Sequence, residues 1–423
     1  VSLAQRFPAL THREFRIYII GGFISNVGSS IQTFAIMYHV YRLTGQSVWV
    51  GTIGLVTVIP LLVFSLLGGV LADQVDRRRM MFFTQSGMAL VALALFVMEY
   101  AHIASLRLLF GLVAVGAVAR ALDGPARQPL VASLVPPDHL PNAFSLNGIT
   151  WRLSEISGPL FAGLFIAFNT IGGISGLAMC YFVNFLSFFA VLYSVYLLSP
   201  RPTSLAVEQH ARSVKDVLLS IKVGLDFIQR TPVVKSAMWI DFWATFFSGA
   251  EALLPALAIT ILASGKAGYG ILGAASGTGA LIAAAILAYL PPIRRQGRWV
   301  IGMIFLYGGA TILLGLSPNL PLAVVFLAIV GAADMISTVM RQTIRQLATP
   351  DHMRGRMTAT SSLFHISGPR LGDFEAGALA SYTGERMSII IGGAACMLVN
   401  TLWLRAKALR DYQHLPAEAD PAP

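Results

Sequence analysis

Charge is scarce in this chain. Only 12% of its 423 residues are Asp, Glu, Lys or Arg and 56% are hydrophobic, against roughly 25% charged in an average soluble domain. Water cannot cover so much apolar side chain, which leaves lipid as the solvent for most of it. Cysteine is scarcer still. Cys180 and Cys396 both fall inside apolar runs, so they form neither a disulfide framework nor a zinc site and read as packed thiols. No Gly-Lys-Ser/Thr phosphate loop is present, so the protein is not its own ATPase. Metal-spaced His/Cys clusters are missing as well, and no metal, cofactor or soluble catalytic constellation is expected. A signal peptide is also lacking. The first apolar stretch, from Ile17 to about Val40, is too long for a signal core and reads as a membrane span.

What is present is a succession of apolar runs of about 20 residues, the length that crosses a bilayer as a helix. Twelve spans are expected at about 17–40, 48–72, 80–100, 104–124, 143–168, 172–198, 234–263, 269–290, 299–316, 320–341, 357–381 and 386–405, with errors of several residues at each end. The net charge of +10 does not point to nucleic acid, because the basic residues lie between spans. Alternate loops carry Arg13 and Arg16, Arg77 to Arg79, Arg201 to Lys235, Arg294 to Arg298, Arg345 to Arg356, and Lys407 and Arg410. The intervening loops and their edges hold only Arg42, Arg107, Lys266 and Arg386. This asymmetry places both termini in the cytoplasm.

The expected organisation is an all-α membrane protein with six-helix bundles at 1–198 and 233–406, a linker at 199–232 and a tail at 407–423. Within the linker, Val214, Val217, Leu218, Ile221, Leu225 and Ile228 share one helical face after a candidate N-cap, Ser213. That helix should lie along the inner membrane surface. The halves repeat one another. Val-Pro-Pro-Asp-His-Leu at 135–140 returns as Ala-Thr-Pro-Asp-His-Met at 348–353, Ile-Ser-Gly-Pro at 156–159 returns at 366–369, and Arg127-Gln128 matches Arg341-Gln342. Such duplication marks secondary transporters, whose site lies between the repeats near the midplane.

Charges inside spans are functional candidates because they are costly unless paired or hydrated. Arg120 with Asp123, Arg152 with Glu155, and Arg370 with Asp373 are each three positions apart, so each pair can share a helical face and neutralise itself. Asp241, Glu251 and Asp334 lack an obvious local partner and are candidates for proton binding. Glu375 follows the second Ile-Ser-Gly-Pro, and His39 and His365 are weaker relay candidates. Asn26 and Gln32 are polar enough to face a cavity. Trp239 and Trp243 belong to an aromatic cluster that either stacks on a substrate or packs helices.

Gly69-Val-Leu-Ala-Asp73-Gln-Val-Asp76-Arg77-Arg78-Arg79 resembles the loop signature of the major facilitator superfamily, G-x-L-A-D-R-x-G-R-K, with Gln74 and Asp76 as departures. Asp76 still suits a tight turn, since Asp tolerates left-handed geometry. The resemblance implies an inner gate of Gly69, Asp73, Arg77 and Arg78, in which Asp73 holds a helix N-terminus near Gly355 and Arg356. Ser157-Gly158-Pro159-Leu-Phe-Ala-Gly163 resembles the superfamily's exporter signature, and its small residues also serve close helix packing. Tyr41-Arg-Leu-Thr-Gly45, Asp123-Gly-Pro-Ala-Arg-Gln128, the Gly-Tyr-Gly at 268–270 and Gly372-Asp373 extend the likeness to the drug and siderophore exporter branch, which includes enterobactin and macrolide exporters. It implies two rocking bundles around a central cavity, a monomer, a small-molecule cargo exchanged for protons, and a cell inner membrane location. An importer or uniporter on the same fold, a membrane-embedded lipid-modifying enzyme and a non-transporting scaffold are the alternatives.

Overall fold

The computed structural model describes residues 7–168, 170–198, 214–291, 293–404 and 407–412. The first six long helices are α1 (Arg13–Thr44), α2 (Ser47–Gln74), α3 (Arg77–Tyr100), α4 (Leu106–Leu134), α5 (Leu140–Ala167) and α6 (Gly176–Leu197). A two-residue hairpin, β1 (Thr170–Ile171) with β2 (Ile174–Ser175), joins α5 to α6. Next come α7 (Val214–Arg230), α8 (Pro232–Phe247), α9 (Gly265–Tyr289), α10 (Gln296–Leu316), α11 (Leu320–Ala348), α12 (Arg354–Thr383), α13 (Glu385–Trp403) and the short α14 (Lys407–Arg410). Local chemistry sets many of the ends. Ser105, Ser175 and Asn319 accept from backbone N–H groups of the first turns of α4, α6 and α11, satisfying donors that a helix start leaves open. Gly45, at φ 65°, closes α1 in the left-handed conformation that favours glycine.

Among the described residues, nine helices are long and apolar enough to cross a membrane. The three expected spans that fall short are α4, α5 and α12. They are the ones that carry Arg120 and Asp123, Arg152 and Glu155, and Arg370 and Asp373. Their 29, 28 and 30 residues still reach the bilayer thickness at about 1.5 Å per residue. Length is therefore not what sets them apart.

The span expected at 234–263 is broken. After α8 the chain leaves the helix at Ser248 and resumes as a 3-10 turn (Glu251–Leu253), one α turn (Leu254–Ala256) and a π turn (Leu257–Ile261). Close crossing explains the break. A Cβ added at Gly249 would stand 2.7 Å from the Gly372 carbonyl carbon of α12, so only backbone fits there.

Helices α1 and α6, α3 and α4, and α2 and α4 pack within the first set, as do α9 and α11, α10 and α13, and α8 and α12 within the second. Two seams join the sets, α2 against α12 and α5 against α9. We call the face where α1 begins the basic face, after its arginines. At the opposite face one apolar core runs through both sets, from Ile31, Leu95 and Tyr181 to Leu257, Tyr269 and Leu327. Toward the basic face the core divides. One cluster, around Phe15, Met81 and Val191, belongs to the first set, and another, around Ile240, Val300 and Ile344, to the second. Hydrogen bonds between the sets follow the same division. Tyr41 Oη and Thr260 Oγ1 lie 2.6 Å apart, Tyr269 donates to the Phe34 carbonyl at 2.9 Å, and Ser47 donates to Glu385 at 3.1 Å. The molecule is closed at the face opposite the basic one and open toward the basic face.

The amphipathic helix expected in the linker is α7, but it docks on protein. Ile228 is buried with Val234, Met238 and Met357, and a Cβ at Gly224 would meet Thr360 of α12 at 2.3 Å. Its candidate cap, Ser213, and the side chains of Val214, Val217 and Leu218 lie outside the described residues.

Candidate functional site

The duplicated Arg-Gln dipeptide marks two buried charge centres. In the first set, Asp123 is 3% exposed. It accepts from Thr84 at 2.7 Å and Gln85 at 3.0 Å, both on α3, and pairs with Arg127 one helical turn later. Arg127 also points toward Asn26 Oδ1 of α1, 3.5 Å away. In the second set, Arg341 is 2% exposed. It pairs with Asp241 of α8 at 2.7 Å and lies 3.6 Å from Asp334, while donating to Ser337 at 2.7 Å and Thr338 at 2.8 Å. The second oxygen of Asp241 lies 3.6 Å from His365 Nδ1 of α12.

His365 connects that buried centre to open space. It lines a cavity of about 640 Å³ between the basic-face ends of α11 and α12, together with Gln342, Arg345, Arg354, Thr358 and Ser362. A third charge centre sits at the break after α8. Asp373 accepts from the Ala252 N–H at 3.3 Å, so its carboxylate meets the N-terminal end of the resumed helix, where negative charge is favoured. Arg370 lies 3.4 Å from Asp373 and 3.9 Å from Glu251.

A sequence profile described as "Transmembrane secretion effector" matches residues 4–420. The chain is 26% identical over 414 residues to the enterobactin exporter EntS of Shigella dysenteriae serotype 1, covering 96% of this chain and 95% of that one. It is 24% identical over 368 residues to the uncharacterized MFS-type transporter YfiS of Bacillus subtilis strain 168, covering 84% and 83%. Among solved structures, a bacterial homologue of the iron transporter ferroportin in an inward-facing state aligns with TM-score 0.68 at 18% identity, over 93% of this chain and 98% of that one. A bacterial homologue of the human lysosomal transporter Spinster, inward-facing and occupied, aligns with TM-score 0.72 at 13% identity, over 99% and 100%.

The chain belongs to the transmembrane secretion effector family of the major facilitator superfamily. It is therefore a membrane transporter of small molecules, and the charge centres lie on the spans of that fold.

Within this transporter several expected pairings change. Asp123 does not pair with Arg120, because Thr84 and Gln85 turn its carboxylate toward Arg127. Asp241 and Asp334, without local partners in sequence, converge on one arginine from a distant helix. Arg152 and Glu155 do pair, at 2.8 Å, with Trp151 donating to Glu155 and Arg152 reaching Met335 of α11. Gln32 does not open freely to a cavity; it accepts from Asn184 of α6 at 2.8 Å. One oxygen of Glu375 is shielded from solvent and has no hydrogen-bond partner among the described residues. Trp239 and Trp243 stack on each other with ring centroids 6.2 Å apart, and Trp239 meets Phe364 of α12 edge-on.

The loop motif acts locally in this state. Asp76 is not left-handed, with φ −54°, and instead caps α3 by accepting from the N–H groups of Arg78 and Arg79. Arg78 donates to the Val195 and Tyr196 carbonyls at the end of α6, and Arg77 is exposed. The side chain of Asp73 and the surroundings of Gly69 lie outside the described residues. The exporter-like motif packs α5 on two helices, through Gly158 on α1 and through Pro159 and Gly163 on α9 at the seam between the sets. A Cβ on Gly158 would strike Ser30 at 2.2 Å, one on Gly163 would strike Gly270 Cα at 2.5 Å, and the Pro159 carbonyl crowds Gly270 from the other side.

Sequence reasoning missed Arg341 as an ion-pair partner, although the repeat had singled out its position. It also missed Glu99, which is 4% exposed and contacts Arg42 at 2.7 Å, His39 at 3.3 Å and Ser175 at 3.2 Å. Arg42 just past the first expected span and Glu99 at the end of the third, both at the same face, were the available signal.

Proposed function

We propose that the protein is a proton-coupled exporter that moves a siderophore or an amphipathic drug-like molecule across the cell inner membrane by alternating access. It works as a monomer in which 1–198 and 233–406 rock against each other about the linker. The arginine excess supports placing the basic face and both termini in the cytoplasm, so the state described is the inward-facing one. The likeness to enterobactin exporters supports outward transport and a siderophore cargo. In the outward-facing state Gly69, Asp73, Arg77 and Arg78 form the inner gate.

The observation that carries proton coupling is the chain of contacts from the cavity to the buried pair, His365 to Asp241 to Arg341. A proton that reaches Asp241 through His365 cancels the carboxylate's charge. Arg341 then turns to Asp334, which is already 3.6 Å away. Because Asp241 is on α8, His365 on α12 and Asp334 on α11, this exchange alters how three helices of one set hold together. It is a two-state element of the kind that coupling requires. Release of the proton to the cavity restores the first arrangement and re-forms the tight ion pair.

The test uses inverted membrane vesicles with an imposed acid-inside gradient and enterobactin as the probe. Uptake should collapse with a protonophore. Asp241→Asn should abolish gradient-driven uptake while leaving gradient-free exchange of the probe. Accumulation that is indifferent to the gradient would sink the coupling claim.

A further inference from the structure

Trp151, Arg152 and Glu155 stand within about a turn of one another near the middle of α5 (Leu140–Ala167), which places them near the bilayer midplane. Glu155 ties them together. One of its oxygens accepts from Trp151 Nε1 at 2.9 Å and the other from Arg152 Nη1 at 2.8 Å. Arg152 then reaches across to the second set. Its Nη2 donates to the Met335 sulfur of α11 at 3.8 Å and, among the described residues, to no oxygen. A thioether is a weak acceptor, so a charged donor lying between the sets is left poorly satisfied.

Trp151 faces the same space. It is 51% exposed, and the packing of α5 shows that lipid is not what it meets. Gly158, two turns further along the same stripe, packs on Ser30 of α1, while Pro159 and Gly163 pack on Gly270 of α9. At about 100° per residue, Trp151 points between these two contacts. The exposed leucines of the helix, Leu153, Leu160 and Leu164, lie on the opposite side. Toward the basic face the stripe continues through Gly148, where an added Cβ would meet nothing within 4 Å, and through Phe144, which is also exposed. The indole therefore stands at the inner end of the space that opens to the basic face. Its bond to Glu155 fixes its orientation, and among the described residues no other ring contacts it. The tryptophans of α8 differ, since Trp239 and Trp243 already stack on each other.

An indole face held open at this depth favours a partner ring, because offset stacking removes both faces from water and matches their quadrupoles. The guanidinium beside it favours an oxygen, the acceptor of a charge-assisted hydrogen bond. Both groups hold the same carboxylate, so one small molecule can reach both. Resting on the reading of this chain as a small-molecule transporter, we infer that its cargo carries a flat aromatic group that stacks on Trp151, with an oxygen on that group accepting from Arg152 in place of the Met335 sulfur. Such a cargo sits between α5 and α11 and so touches both sets at once.

The experiment is equilibrium binding to the purified full chain in micelles, by calorimetry, with three probes. Naphthoate has the ring and the oxygens, decalin carboxylate has the oxygens without the aromatic ring, and naphthylmethylammonium has the ring with a cation. The wild type should bind naphthoate more tightly than either of the others. Trp151→Leu should weaken naphthoate by about threefold to tenfold, the range for losing an aromatic pair, and Trp151→Phe should recover part of the loss. Decalin carboxylate should bind Trp151→Leu as it binds the wild type, which shows that the variant is folded and its site intact. Arg152→Gln combined with Glu155→Gln removes the charge pair without stranding either member, and should weaken naphthoate by about tenfold to a hundredfold. Failure of naphthoate to bind the wild type would overturn the proposal. So would equal affinity for decalin carboxylate or for naphthylmethylammonium, or unchanged naphthoate affinity in Trp151→Leu. No gradient is applied and no direction is read. Loss of gradient-driven uptake therefore leaves this proposal standing, and absent naphthoate binding leaves proton-coupled export standing.

Discussion

Replacing both carboxylates around Arg341 should cost more than the two single replacements together. Arg341 is 2% exposed and Asp241 5% exposed, so the guanidinium cannot turn to water when a partner is lost. Asp241→Asn removes the 2.7 Å partner but leaves Asp334 at 3.6 Å and the hydroxyls of Ser337 and Thr338. Its cost should be about 1–2 kcal/mol, that of weakening a charged hydrogen bond while the charge stays compensated. Asp334 is 38% exposed at its side chain, so Asp334→Asn should cost less than about 1 kcal/mol, as for a partly solvated pair. The double variant strands a buried cation, which costs about 3–5 kcal/mol. At mid-range the interaction energy is therefore about 2 kcal/mol, beyond the roughly 0.5 kcal/mol within which independent sites add. Equilibrium unfolding in mixed detergent micelles measures all four corners of the cycle. A double variant equal to the sum of the singles would refute the shared role of Arg341.

Two further perturbations read the seams between the helix sets. Gly163→Val should separate α5 from α9, since even the first added carbon would lie 2.5 Å from Gly270 Cα; overpacking of this kind costs about 1–3 kcal/mol, visible as a lower thermal midpoint, and an unchanged midpoint would mean the seam is loose. Tyr41→Phe removes the 2.6 Å contact with Thr260, worth about 1 kcal/mol, and should raise labelling of a cysteine placed at the neighbouring Ile259 by about fivefold, whereas unchanged labelling would show that the contact does not hold that face shut.

The fold was legible because apolar length and loop charge are properties of single segments, read without knowing any contact. The charge centres were less so. Helical spacing allows Asp123 to meet Arg120 at three residues or Arg127 at four, and nothing within α4 decides between them. The decision comes from Thr84 and Gln85 on α3, residues unremarkable in their own helix. Asp241 and Arg341 are joined only by the packing of α8 and α11, which periodicity cannot supply. The break after α8 had a local signal in Gly249, but the reason for it, the Gly372 backbone of α12, lies far along the chain. Repetition carried what local pattern did not. The duplicated Arg-Gln marked the two arginine positions as equivalent, although not what either one pairs with.

The same repeat shows how the two sets diverged. At the near-constant offset that relates them, Arg127 corresponds to Arg341, Asn26 to Asp241 and Asp123 to Ser337. At these two corresponding positions each arginine faces one acid and one neutral polar group, but the acid has changed helices; Asp334 is a further, longer contact of Arg341 alone. In the first set it is on the arginine's own helix, where the pair is internal to α4 and insulated by α3. In the second it is on a different helix and within reach of His365 and the cavity. If only the charge mattered, the two arrangements would be interchangeable. The pair Asp241→Asn with Ser337→Asp tests this by giving the second set the first set's pattern. Ser337 already lies 2.7 Å from Arg341, so the new carboxylate should recover most of the stability lost in Asp241→Asn, read as the unfolding midpoint. It should not recover gradient-driven uptake, because the acid no longer lies beside His365. Restored uptake would show that Asp241 serves only to neutralise Arg341, and the coupling route would have to be sought at Glu251, Asp373 or Glu375 instead.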